Sequence, residues 1–394
     1  MPVASPIPVT PAVLAWARTE SGYAIDRVAT RLKVKPERVD ACERGESVPT
    51  MRQVQELASF FRRPLNVFFL SSPPQVPELA AEYRRLSGVT PGHESPELRL
   101  AIRQMSNRRE TAVELLYELG EPVTRFLLSA HPNEDPAVVG SRLRTALGIT
   151  AGIQSAWQDE WQAWRDWRAA AERLGVLVFQ FPKVDLALMR GLSLLRFPLP
   201  VVGVNSKEQP ESRSYTLLHE IVHLMLAVGN EELPALYERR SGEEWESVER
   251  FAESVASHAL VPEGALREAI SRRPSAFDVQ TVRSLARLFR VTPLAMATRL
   301  RAAGHMNWSE YTAWRQDWSE WVQRLPPRKA GFAHPVDIAL GRNGRPFAQI
   351  VLEALSANRI TSVDACRHLA MRFEHFDKLK STLSGASTGA TADD

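Results

Sequence analysis

Cysteine is nearly missing from this chain: 394 residues contain two, Cys42 and Cys366, far apart and in no CxxC pair. That excludes a disulfide scaffold and a cysteine-built zinc finger, so any bound metal must be held by histidine and carboxylates. Long apolar runs are missing too. No stretch of about 18 uncharged apolar residues could span a bilayer, and Met1 to Pro11 lacks the basic-then-apolar pattern of a signal peptide. No membrane partner and a cytoplasmic location are therefore expected. Nor does one sign of charge dominate: 49 Lys and Arg stand against 46 Asp and Glu, a net charge of +3. That balance allows nucleic-acid contact without demanding it. What is present is apolar material, 44% of the residues. It can fill more than one core, as expected for about two to three domains, and excludes disorder over most of the length.

Proline and small polar residues mark the divisions. Ser71-Ser-Pro-Pro-Gln-Val-Pro77 cannot continue a helix, so a 71–93 linker is expected to close an N-terminal module over 1–70. Helical spacing recurs from Glu94 to Ala130 and from Pro136 to Leu174. Strand character follows in Gly175–Phe181, Leu192–Phe197 and Val201–Val204. From Ser214 the chain reads as helical to about Leu383, and 381–394, rich in Ser, Thr, Gly and Ala, as a disordered tail. The predicted fold class is mostly α with a small β-sheet (α+β), with a catalytic domain over 94–303 and a helical region over 304–380.

The segment Pro11 to Leu70 reads as five short helices. Pro36 opens the third at the favoured first helical position, Gly45 stops it, and Thr50 caps the fourth. Two short helices joined by Lys33-Val34-Lys35 have the helix-turn-helix layout. The pattern Val28-Ala29, Val34, Val39, Glu43-Arg44-Gly45, Pro49-Thr50 resembles the DNA-binding domain of Cro/CI-like (XRE-type) repressors. Lys33 stands where that family usually has Gly, so the turn must either accept a left-handed non-glycine residue or be re-shaped. The resemblance implies a double-stranded DNA operator as partner. Lys35, Arg38, Asp40 and Ala41 would face bases, and Arg31, Lys33, Arg44 and Arg52 would face phosphates. A helical docking module without DNA binding is the alternative, because Glu37, Asp40 and Glu43 share the reading helix.

The most informative segment is Tyr215-Thr-Leu-Leu-His219-Glu220-Ile-Val-His223-Leu-Met-Leu226. On a helix His219 and His223 share a face, with Glu220 beside the first. The surrounding residues are apolar all round, so the helix is buried and its polar groups need a partner. A zinc ion would be one; a chance match on a surface helix is the alternative. Zinc hydrolases need a third protein ligand. Glu249 is the choice, on a helix whose small Ala252 and Ala256 permit close approach, and Glu253 is expected to orient His219 or His223 through a ring N–H. A solvated acidic face is the alternative for this pair. Glu220 is the expected general base. Val201–Val204 could offer an edge to an extended substrate or lie inside the sheet.

Glu249-x-x-Ala252-Glu253-x-Val255-Ala256-x-x-Ala259-Leu260-Val261-Pro262 behind HExxH resembles the ImmA/IrrE metallopeptidases, with Glu253 in place of the usual Asn or Asp and Val255 in place of Phe. The resemblance implies a DNA-binding regulator with a zinc endopeptidase domain. Its protein substrate would be a helix-turn-helix repressor in a stress, mobile-element or toxin–antitoxin circuit. The alternative is a non-catalytic repressor whose domain senses a metal or ligand. A homodimer is compatible with either. Trp157, Trp161, Trp164 and Trp167, and again Trp314, Trp318 and Trp321, fall at helical spacing and read as core or helix seams, with a base-stacking platform for single-stranded nucleic acid or an oligomer interface as the alternatives. Cys42 reads as a buried packing residue.

Overall fold

The computed structural model describes residues 9–74, 94–229, 243–272, 277–324 and 334–384. The chain divides into two compact units, Met1–Gln104 and Met105–Asp394. The division falls within a helix, eleven residues after the point where the sequence places the start of the catalytic domain.

In the first unit α1 (Pro11–Glu20), α2 (Ile25–Leu32), α3 (Pro36–Glu43) and α4 (Met51–Phe60) are followed by a 3₁₀ turn over Leu65–Phe69. Val28, Val39, Val54, Phe61 and Phe68 form its core, and Cys42 is buried with them. Arg18 grips both oxygens of Glu43 at 2.7 and 2.9 Å and also donates to the Tyr23 carbonyl at 3.1 Å, fixing α1 to α3. Lys33 ends α2 with φ 55° and ψ 44°, so of the two alternatives the turn keeps its shape and takes the left-handed non-glycine residue. Thr50 and Gln53 cap α4 reciprocally. The opening turns of α5 (Pro96–Leu119) complete the unit, with Arg99 donating to the Thr19 carbonyl and Arg103 to that of Phe61, both at 2.8 Å. Cations there meet the carbonyls at helix C-termini, where the helix dipole favours positive charge.

The second unit begins within α5. The helical reading as far as Ala130 is corrected: α5 stops at Leu119, because Gly120 turns left-handed (φ 71°) and Pro122 cannot continue a helix. Residues 121–130 then run without regular structure, and the Ala130 N–H reaches the Met225 carbonyl at 3.0 Å. After α6 (Pro136–Leu147), α7 (Ala151–Ala156) and α8 (Glu160–Arg173) come the strands β1 (Leu177–Phe181), β2 (Gly191–Leu194) and β3 (Val201–Asn205). Trp157 lies in the α7–α8 connection rather than on a helical stripe, and Trp161 is 46% exposed, while Trp164 and Trp167 are core.

The sheet order is β1-β3-β2, with β1 parallel and β2 antiparallel to β3. This decides the open question about Val201–Val204: β3 is the central strand, so any edge beside the site belongs to β2. On one face Val178, Val202 and Val204 join the core of α9 (Pro210–Gly229) and α10 (Glu243–Leu260). On the other face Phe179 meets Phe347 edge to face at 5.9 Å, and Met105 packs against Gly203, whose bare Cα leaves the room.

Four helices follow α10 in sequence: α11 (Glu263–Ser271), α12 (Val279–Phe289), α13 (Pro293–Ala302) and α14 (Trp308–Gln323). Trp314, Trp318 and Trp321 form a stacked ladder along α14, closed by Arg283 at 3.9 Å from the last ring. Then α15 (Pro335–Asn343), α16 (Arg345–Ser356), α17 (Ser362–Leu369) and α18 (Phe376–Ser384) form the C-terminal region. Arg168 joins it to β1, donating to the Gly341 carbonyl at 2.9 Å and to the Val178 carbonyl. The C-terminal helices thus complete the sheet's packing. The tail expected from residue 381 is corrected at its start, since α18 is helical through Ser384; 385–394 lie outside the described residues, as do residues 75–93 of the expected linker. No described helix is long and apolar enough to cross a membrane.

Candidate metal centre

Apolar residues on every side bury α9: Leu217, Leu218, Ile221, Val222, Leu224, Met225 and Leu226 are all fully inaccessible. Its two histidines therefore point into a site rather than into bulk water. The Nε2 atoms of His219 and His223 lie 3.1 Å apart. Glu249 on α10 brings its carboxylate oxygens to 3.3 Å from His219 Nε2 and 3.5 Å from His223 Nε2. Among the described residues this is the group whose ligand atoms converge as a metal site needs. Ala252 and Ala256, both inaccessible, are the small residues that let α10 approach.

The convergence can be tested against coordination chemistry. Two imidazole nitrogens and a carboxylate oxygen around a tetrahedral zinc, at about 2.0–2.2 Å from the metal, stand roughly 3.3–3.5 Å from one another. The two His–Glu separations, one to each carboxylate oxygen, fall at that spacing and the His–His separation of 3.1 Å lies just inside it; the donor set suits zinc, so the residues fit such an ion. Burial disfavours a charge on His219, but its bond to Glu249 and the carboxylates of Glu220, Glu249 and Glu253 outweigh that and raise its pKa. A site that favours positive charge among its ligands is one that a cation can occupy.

Glu220, 8% exposed, faces the start of β2. A methyl group on Gly191 would lie 3.0 Å from Glu220 Oε1 and 2.3 Å from the Thr216 methyl, so only glycine allows this approach. Thr216 in turn donates to Glu208 at 2.8 Å. Asn205, fully buried, pins the loop before β2 by donating to the Val184 and Met189 carbonyls at 3.1 and 2.8 Å. None of Gly191, Thr216, Glu208 and Asn205 was identified from the sequence. A glycine at a strand start hints at close approach; the other three carry no sequence signal.

Glu253 does not take the seat expected of it. Its carboxylate is exposed and hydrogen-bonds to neither imidazole, and His219 Nδ1 is buried without a partner among the described residues. The Glu253 charge still acts on the site. Burial, then Glu253 and Glu249, push the Tyr215 phenol up and keep it protonated while its ring stacks on His219 at 6.3 Å. His258 lies away from the centre, beside Arg299 at 3.1 Å. The C-terminal carbonyls of α10 are held by buried side chains: Arg144 on Ala259, Gln154 on Leu260, Arg299 on Val261. They fix the helix that carries Glu249.

In the first unit, several residues expected to face DNA have partners within the unit. Arg31 pairs with Glu56 at 2.5 Å, Arg38 donates to Ser47 and to the Val48 carbonyl, and Arg44 lies 3.1 Å from both Asp40 and Glu46. Lys33, Lys35 and Arg52 are exposed, and Ala41 is half-buried.

Residues 171–301 match the family model of peptidase M78, the IrrE N-terminal-like domain. The match spans β1 through most of α13 and includes every residue of the centre. It supports a peptidase-type activity for this unit and the ImmA/IrrE resemblance of that part. No curated protein matches the chain.

Proposed function

We propose that the second unit is a zinc-dependent endopeptidase in which His219, His223 and Glu249 hold the metal and Glu220 is the general base. The observation that carries this is the convergence of two imidazole nitrogens and a carboxylate at 3.1–3.5 Å, with Glu220 adjacent on the same buried helix. A zinc ion bound there supplies Lewis acidity, polarising a peptide carbonyl and acidifying water. Glu220, held against Gly191, accepts the water's proton and returns it to the leaving amine. Tyr215, kept protonated beside His219, offers a hydrogen-bond donor at the same centre. Among the described residues β2 pairs only with β3, which supports its free edge as the rail for an extended peptide.

The first unit, in this proposal, binds a double-stranded DNA operator through α3, and the protein works as a cytoplasmic regulator. Its substrate is a regulatory protein such as a helix-turn-helix repressor. The left-handed Lys33 joining α2 to α3 supports the helix-turn-helix reading. The functional test is metal content and cleavage of such a repressor by wild type and by Glu220→Gln. Metal retained with cleavage lost is the expected result, and equal cleavage by both would refute it.

A further inference from the structure

Arg190 sits directly before β2, and its surroundings are more organised than an exposed arginine needs. Its side chain is 63% exposed, yet it donates at 3.1 Å to Glu208, whose side chain is 1% exposed. The other Glu208 oxygen accepts from Thr216, one turn before Glu220 on α9. Arg213 donates to the main-chain carbonyls of Glu208 at 2.9 Å and Ser206 at 2.6 Å, and the Asn205 N–H donates to the Arg190 carbonyl at 2.8 Å. Backbone and guanidinium are thus both anchored at the end of β2 that touches Glu220.

A guanidinium has five N–H donors in a rigid plane. One is used on Glu208, and the largely exposed side chain leaves the others to solvent at the start of β2. Anchoring has already removed the rotamer entropy that a flexible arginine would lose on binding. Pairing with Glu208 also sets the orientation of the plane. The geometry points to Arg190 as a specificity-determining residue that receives a carboxylate of the peptide lying along β2, either an Asp or Glu side chain near the scissile bond or a free C-terminus. This rests on the peptidase reading of the same site.

Binding tests it without requiring turnover. The zinc-loaded full chain carrying Glu220→Gln is titrated with fluorescent peptides of one scaffold that place Asp, Asn or Lys at each position in turn, each with a free or an amidated C-terminus. At one position Asp should bind about fivefold more tightly than Asn, the size of a partly exposed charge pair, and Lys more weakly still. A gain confined to free C-termini identifies the terminal carboxylate as the ligand. Arg190→Lys should keep part of the preference. The double variant Arg190→Gln/Glu208→Gln, which leaves no buried charge unpaired, should lose it. Equal binding of Asp and Asn peptides with both kinds of C-terminus, or a preference surviving in the double variant, overturns the inference. Wild type that cleaves without any acidic preference leaves the peptidase standing and removes this inference; an Arg190-dependent preference without cleavage does the reverse.

Discussion

The Nε2 atoms of His219 and His223 face each other across 3.1 Å, with the Glu249 carboxylate within 3.5 Å of both. Imidazoles in the tautomer that ligates through Nε2 present lone pairs there, and beside the carboxylate that arrangement favours a cation between them.

Chelation should therefore destabilise the protein. At a free zinc concentration 100 times the dissociation constant, binding adds about 2.7 kcal/mol. A chelator should lower the wild-type Tm by the corresponding amount and leave His219→Ala unchanged. About one zinc per chain is expected by elemental analysis; none in wild type would remove the site.

Base and ligand should separate cleanly. Glu220→Gln preserves shape and hydrogen bonding, so zinc content should survive while cleavage falls about 100-fold or more. Glu249→Gln should lose both. Loss of zinc from Glu220→Gln would place that carboxylate among the ligands, and full zinc occupancy with no cleavage of any repressor by wild type would favour a metal-sensing repressor.

Gly191→Ala should disturb β2, since the added methyl would stand 2.3 Å from the Thr216 methyl and 3.0 Å from Glu220. A cost of about 1–3 kcal/mol is expected from overpacking, with partial recovery in Gly191→Ala/Thr216→Ser. Urea unfolding measures both, and a neutral Gly191→Ala would refute the close approach.

Lys33 offers a test in the first unit. Its left-handed backbone is one that glycine adopts without steric cost, so Lys33→Gly should raise stability by a few tenths to about 1 kcal/mol. If Lys33 meets a phosphate, the slope of log affinity against log salt should fall by about 1 on a bound duplex. Unchanged salt dependence would take Lys33 out of the DNA contact.

Burial pushes the Glu208 carboxyl up, against the pull of Thr216 and Arg190. Its folded pKa lies above the unfolded value, so its contribution is fully present below the unfolded pKa of about 4.3 and lost as pH rises through the folded pKa. Glu208→Gln should flatten the decline in stability above that pH, measured with chelator present so that zinc adds no pH dependence of its own. An unchanged slope would mean that Glu208 ionises in the folded chain as it does in the unfolded one.

How much was legible in the sequence follows from the range of the forces involved. The i,i+4 spacing of His219 and His223, the apolar shell around them, the Thr50 cap and the left-handed Lys33 are local: helix geometry and steric limits place them with only near neighbours. Glu249 was within reach because small residues at Ala252 and Ala256 advertise close helix packing. The end of α5 at Leu119 was also written locally, in Gly120 and Pro122, and periodicity obscured it. Only the tertiary structure decided that β3 lies inside the sheet and β2 at its edge, because strand order depends on which apolar faces the surrounding helices cover. It likewise carried the Glu253 carboxylate into solvent rather than onto an imidazole. The Arg190–Glu208–Thr216 chain joins a loop, a strand start and a helix 26 residues apart. Burial turns these common residues into a built site, and burial is a property of the whole fold.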